Sequence, residues 1–109
     1  MFIESLTVSE QHSRRTVCES IAEPDWPQIR RALERLPSQE RGWLTLDGKT
    51  SQLSVGTHSD GFTLCAYDTQ QDRCLYAQPS RLESVLQAVR AYALGGRLTH
   101  ELAWQSSVG

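Results

Sequence analysis

This sequence is short of cysteine, of long apolar runs and of charge of one sign. It has three cysteines, Cys18, Cys65 and Cys74, in 109 residues. So small and odd a number excludes a scaffold built on disulfides and points to a reducing compartment. No apolar stretch approaches the roughly 20 residues needed to cross a bilayer, so no membrane partner is expected. The opening residues, MFIESLTVSEQ, lack the basic start and apolar core of a secretory signal. A cytoplasmic location is the expectation. Eleven basic and thirteen acidic residues leave a net charge of -2. That excludes the uniformly basic surface of a non-specific nucleic-acid binder, so no direct nucleic-acid contact is expected. Phosphate loops, nucleophile elbows, HExxH and GxGxxG motifs are missing as well. On this reading the chain is not an enzyme, with no catalytic residue, cofactor or metal assigned.

What is present is an ordinary soluble composition, 39% hydrophobic and 22% charged, in a chain of a size for one domain over residues 1–109. Residues 1–8 and 15–21 read as two strands, with SEQHSR as their turn. Asp25, Trp26 and Pro27 then open a helix. Asp25 is suited to cap free amides, and a proline in the first turn costs no hydrogen bond. Trp26, Ile29, Leu33 and Leu36 form one stripe at helical period, which predicts a helix over 26–36 ended by Pro37. Arg30, Arg31, Glu34 and Arg35 lie off that stripe.

From Gly42 the pattern changes to short alternating segments. Strands are expected at 43–46, 52–55, 62–68 and 73–78, with Asp47-Gly48 as a tight turn. Ser80 and Glu83 match a capping box and open a second helix. Its apolar face is Leu82, Val85, Leu86, Val89 and Ala93, and Gly95-Gly96 stops it. Leu98, His100, Leu102 and Trp104 alternate, as a short strand or an extended segment docked on the core. Residues 105–109 are expected to fray. The implied class is α+β: a two-layer sandwich, an antiparallel sheet of about five to six strands with two helices packed on one face.

The densest run of reactive side chains is HSDGFTLCAYDTQQDRC, residues 58–74. Its spacing does not chelate: structural zinc sites need closely spaced ligand pairs, and His58, Cys65 and Cys74 are too far apart in sequence. His12 and His100 belong to other elements. Cys65 is mid-strand between Leu64 and Ala66, as a small core residue would be. Pairing Asp68 with Arg73 would put Cys74 diagonally across from Cys65. Diagonal neighbours lie roughly 7–8 Å apart, so a disulfide is not expected.

The acids carry more information. Successive turns of a meander alternate ends of the sheet. Asp47, Asp68 and Asp72 therefore share one end as an acidic rim beside Lys49 and Arg73, and Asp60 with His58 lies at the other. Aspartate favours turns for local hydrogen-bonding reasons alone, and these residues equally suit a docking surface for a basic partner. Trp43, at the start of a strand, fits either core or interface. The candidate partner-binding set is Asp47, Asp60, Asp68, Asp72, His58 and Trp43.

Several segments together resemble a known family. They are EPDWPQIRRALERL, the meander LTLDG, LSVG and GFTLCAYD, and LESVLQAVRAYALGGRLTHELAWQ. Pro24-Asp25-Trp26, Leu53 to Gly56, Gly61-Phe62, Ala91-Tyr92, Gly96 to Leu98 and Leu102 to Trp104 are similar to motifs of the first-numbered immunity-protein family of bacterial polymorphic toxin systems. The resemblance spans about residues 20–105. It implies a cytoplasmic inhibitor that binds a cognate toxin domain, commonly a nuclease or nucleic-acid deaminase, and occludes its active site. Two other readings stand beside it. One is a small α+β enzyme or ligand-binding domain using Cys74, His58 or His100. The other is a secretion chaperone or adaptor.

Overall fold

The computed structural model describes residues 3–12, 15–36, 41–58, 61–68, 72–98, 102 and 104–106, with only the backbone for 10–12, 15–17, 41 and 58. The elements in chain order are β1 (Ser5–His12), β2 (Arg15–Ala22), α1 (Trp26–Arg35), β3 (Arg41–Asp47), β4 (Ser51–His58), β5 (Gly61–Asp68), β6 (Arg73–Ala77), α2 (Leu82–Gly95) and β7 (Gln105–Ser106). The strands form one antiparallel sheet in the order β2-β1-β3-β4-β5-β6-β7. The class is α+β with two helices, as expected. The sheet is larger than the five to six strands expected, because it has seven.

The added strand comes from the tail. Gln105 and Ser106 pair with Tyr76 and Leu75, where fraying was expected. Leu98, Leu102 and Trp104 pack against the core just before them, which holds the chain beside β6. The first hairpin also differs. β1 begins at Ser5 and runs through the expected turn to His12, which pairs with Arg15. The extra length is held from both sides, because β1 also pairs with β3 as far as Gln11 with Arg41. Polar residues there made the segment look like a turn.

One parity of the strands is buried. Leu6, Leu44, Leu46, Leu53, Val55, Phe62 and Leu64 join Ile29, Leu33 and Leu36 from the first helical segment and Val85, Ala88, Val89, Tyr92 and Ala93 from α2 in a single core. Both helices therefore cover the same face, in agreement with a two-layer sandwich. Burying each such leucine or valine contributes about 1.5–3 kcal/mol before conformational entropy is subtracted.

The two helices start differently. At α1, the Asp25 carboxylate accepts the Gln28 amide at 2.8 Å, and Gln28 Oε1 accepts the Asp25 amide at 3.0 Å. That reciprocal pair is the capping expected for Asp25. At α2 the expected Ser80 cap is absent: Arg81 is the N-cap and makes no side-chain cap bond. The reason is that the chain is still strand-like at Pro79, whose carbonyl accepts the Phe62 amide at 3.0 Å. Gly61 makes this approach possible. Its φ is +139°, and a Cβ there would lie 2.8 Å from the Pro79 carbonyl oxygen. The buried stripe of α2 is centred on Val85, Ala88, Val89, Tyr92 and Ala93, with the expected Leu82 and Leu86 at its margins. Gly96, with φ 65°, ends α2 as expected.

Candidate functional site

Among the described residues, the other parity of the strands carries no helix. Three rows of paired residues cross it: Cys18, Ser9, Trp43, Gly56 and Thr63; Ser20, Thr7, Thr45, Ser54, Cys65 and Tyr76; and Ser5, Asp47, Gln52, Tyr67 and Cys74. This open face is mostly hydroxyl, with aromatic residues set among the small side chains. Trp43 is 46% exposed and Tyr76 40% exposed. Gly56 lies directly opposite Trp43, and nothing comes within 4 Å of where its Cβ would be. The indole therefore stands beside a dip in the surface.

The acidic residues divide between the faces. Asp47 belongs to the open face, where its carboxylate accepts Ser5 Oγ at 3.2 Å and Gln52 Nε2 at 2.7 Å. The tight turn expected at Asp47-Gly48 falls two residues later, at Lys49-Thr50, closed by the Gly48 amide donating to the Ser51 carbonyl at 2.9 Å. Asp72 turns toward the same face. Its backbone is left-handed, with φ 48°, a conformation aspartate tolerates better than most residues. Its carboxylate accepts the Tyr67 hydroxyl at 2.7 Å, and this bond, then the Asp72 charge, pushes the Tyr67 pKa up.

Asp68 has the opposite parity. It pairs with Arg73 and lines a cleft of about 370 Å³ on the helix side, with Ser51, Tyr92 and Leu98. Within it Ser51 Oγ and the Tyr92 hydroxyl are 2.7 Å apart. Burial raises the Tyr92 pKa, and the bond to Ser51 partly offsets that. Asp47, Asp68 and Asp72 do share one end of the sheet. They do not form a single rim, since only Asp47 and Asp72 turn to the open face.

Asp60 lies outside the described residues, as does His100. His58 closes β4 opposite Gly61, and its side chain is likewise outside what is described. Tyr67 and Tyr76 were not singled out from the sequence. Their signal was parity: both stand opposite the buried Leu64, Ala66 and Ala77.

The cysteines depart from expectation in one respect. The register is as read, with Cys65 opposite Tyr76 and Asp68 opposite Arg73. The spacing is closer: Cys65 Sγ and Cys74 Sγ are 2.7 Å apart. The Cα-to-Cα distance of a diagonal pair overstates the sulfur separation, because both side chains lean into the diagonal and Cβ atoms lie nearer than Cα atoms. All three cysteines carry thiols. Burial, followed by the hydrogen bond and charge of Cys74, pushes the Cys65 pKa up to about 11. At neutral pH it is a thiol and not an activated nucleophile.

Among the described residues, no three of His, Cys, Asp or Glu gather as a metal site, and no helix is long and apolar enough to cross a membrane. No protein-family model matches this chain, and neither a curated protein nor a solved structure matches it.

Proposed function

We propose that this chain is a stoichiometric binding protein of the immunity type, and that the open sheet face is the surface it presents. The occupant is a basic toxin domain acting on nucleic acid, whose active site or substrate entry is blocked on binding. The observation that carries the reading is the pair of exposed aromatics, Trp43 and Tyr76, on a face otherwise built of small polar residues. Tryptophan and tyrosine bring large area at low entropy cost and are enriched at the centres of protein interfaces. Asp47 and Asp72 at one end of that face suit a cationic partner, since nucleic-acid enzymes are basic around the substrate cleft. The toxin class itself rests on the sequence resemblance.

Co-expression with the product of the adjacent gene tests this reading. Protection from toxicity, with a one-to-one complex on purification, is the expected result. Trp43→Ala should abolish protection while the protein remains folded. Retention of full protection by a double Trp43→Ala, Tyr76→Ala variant would remove the open face from the reading.

The 370 Å³ cleft beside Tyr92 favours a second reading, a domain that binds a small polar ligand. Such clefts typically have an apolar floor and a few converging polar groups. Tyr92→Phe separates the two, because it alters the cleft and leaves the open face untouched.

A further inference from the structure

We propose that Cys65 and Cys74 are a redox-active dithiol, which closes to an intramolecular disulfide by exchange with a low-molecular-weight disulfide such as oxidised glutathione. The sulfurs are 2.7 Å apart in the reduced protein, a gap that only a small side-chain adjustment turns into a bond of about 2.05 Å. Both residues are on the open face, on paired strands, and each is partly accessible. A small oxidant can therefore reach the pair without unfolding. Cys65 is buttressed by Tyr76 directly opposite, and the pair stays together because β5 and β6 are in register from Leu64 to Asp68.

The chemistry runs in two displacements. Cys74 gives its proton to solvent, and its Sγ attacks one sulfur of the small disulfide. That bond breaks, and one small thiol leaves as its thiolate and takes a proton from water. Cys65 then gives its proton to solvent and attacks Cys74 Sγ. The mixed bond breaks, the second small thiol leaves, and the Cys65–Cys74 bond forms. Two protein thiols lose two electrons, and one small disulfide gains them as two thiols. Burial disfavours the thiolate of Cys65, and thiolate is the attacking form in each displacement. Closure therefore speeds up as pH rises.

Cys18 supplies an internal control. It is exposed on β2, four strands from β5, or roughly 19 Å at ordinary strand spacing. It cannot join the bridge within one molecule.

The test treats reduced wild-type protein with oxidised glutathione, quenches with acid, alkylates the remaining thiols and measures intact mass and linked peptides. The expected product has lost two hydrogens across a Cys65–Cys74 linked peptide, carries its one alkyl group or glutathione adduct at Cys18, and returns to three alkylated thiols after reduction. Cys65→Ser should stop at a glutathione adduct on Cys74, and Cys18→Ser should close as wild type does. Three alkylated thiols in the treated wild type would overturn the proposal. So would a stable glutathione adduct on Cys74 that never resolves, or loss of closure in Cys18→Ser. No partner is needed, so this outcome is independent of the toxin reading.

Discussion

The helix-covered face and the open face of this sheet come from the same strands, one residue out of phase. The covered face is aliphatic and carries the core. The open face is hydroxyl, sulfur and aromatic, and its largest side chains are among the most exposed of their type. Alternation along β5 shows the division in one strand. Phe62, Leu64 and Ala66 point to the helices, and Thr63, Cys65 and Tyr67 point away. A sheet covered on one side needs only one face to stabilise it. The other face is left to be selected by whatever it touches, and its composition is informative for that reason.

Substitutions that set one face against the other sharpen this division. The largest effect is expected in the core: Leu53→Ala should cost about 2–5 kcal/mol in denaturant unfolding. Its open-face neighbour Ser54→Ala should stay within about 0.5 kcal/mol. Equal losses would break the division. Trp43→Ala should leave the unfolding midpoint nearly unchanged but weaken partner binding by about 2 kcal/mol or more, read by calorimetry.

Two glycines give the next contrast. Gly61→Ala adds a Cβ 2.8 Å from the Pro79 oxygen at positive φ, and should cost about 1–3 kcal/mol. Gly56→Ala meets nothing within 4 Å, and should stabilise by about 0.4–1 kcal/mol through the unfolded chain.

The smallest effect is one of pH. Cys65 titrates near 9.0 when unconstrained and at about 11 in the fold. A raised folded value means its contribution is fully present below pH 9 and is lost as pH climbs toward 11. Cys65→Ser should flatten part of that alkaline decline, and an unchanged slope would show that Cys65 is not its source.

Much of this was legible before the structure. Trp26, Ile29 and Leu33 set α1 by period, and Asp25 capped it by chemistry that acts within one turn. The β5–β6 register followed from loop length. What escaped depended on partners distant in sequence. Ser80 looked like a cap, but the backbone beside it was already committed to Phe62. The polar residues after Val8 looked like a turn, because nothing local showed that β1 would be held on both sides. Asp47, Asp68 and Asp72 were correctly placed at one end, yet the side chain of Asp68 turned away by strand parity. The sulfur contact is not legible from spacing, because the backbone separation of a diagonal pair exceeds that of its side chains.

The sheet ends in two unlike margins. β2 is an eight-residue outer strand, whereas β6 is covered by the two residues of β7. Outer strands are templates for further pairing. Among the described residues, Gln105 and Ser106 are what keeps β6 from being a second outer strand. A chain cut after Trp104 would present one template at each side of the sheet. Unlike margins permit copies to pair head to tail, a contact that does not close on itself. Light scattering of a chain cut after Trp104 tests whether this short pairing limits such association: a raised signal is expected, and an unchanged one would show that it does not.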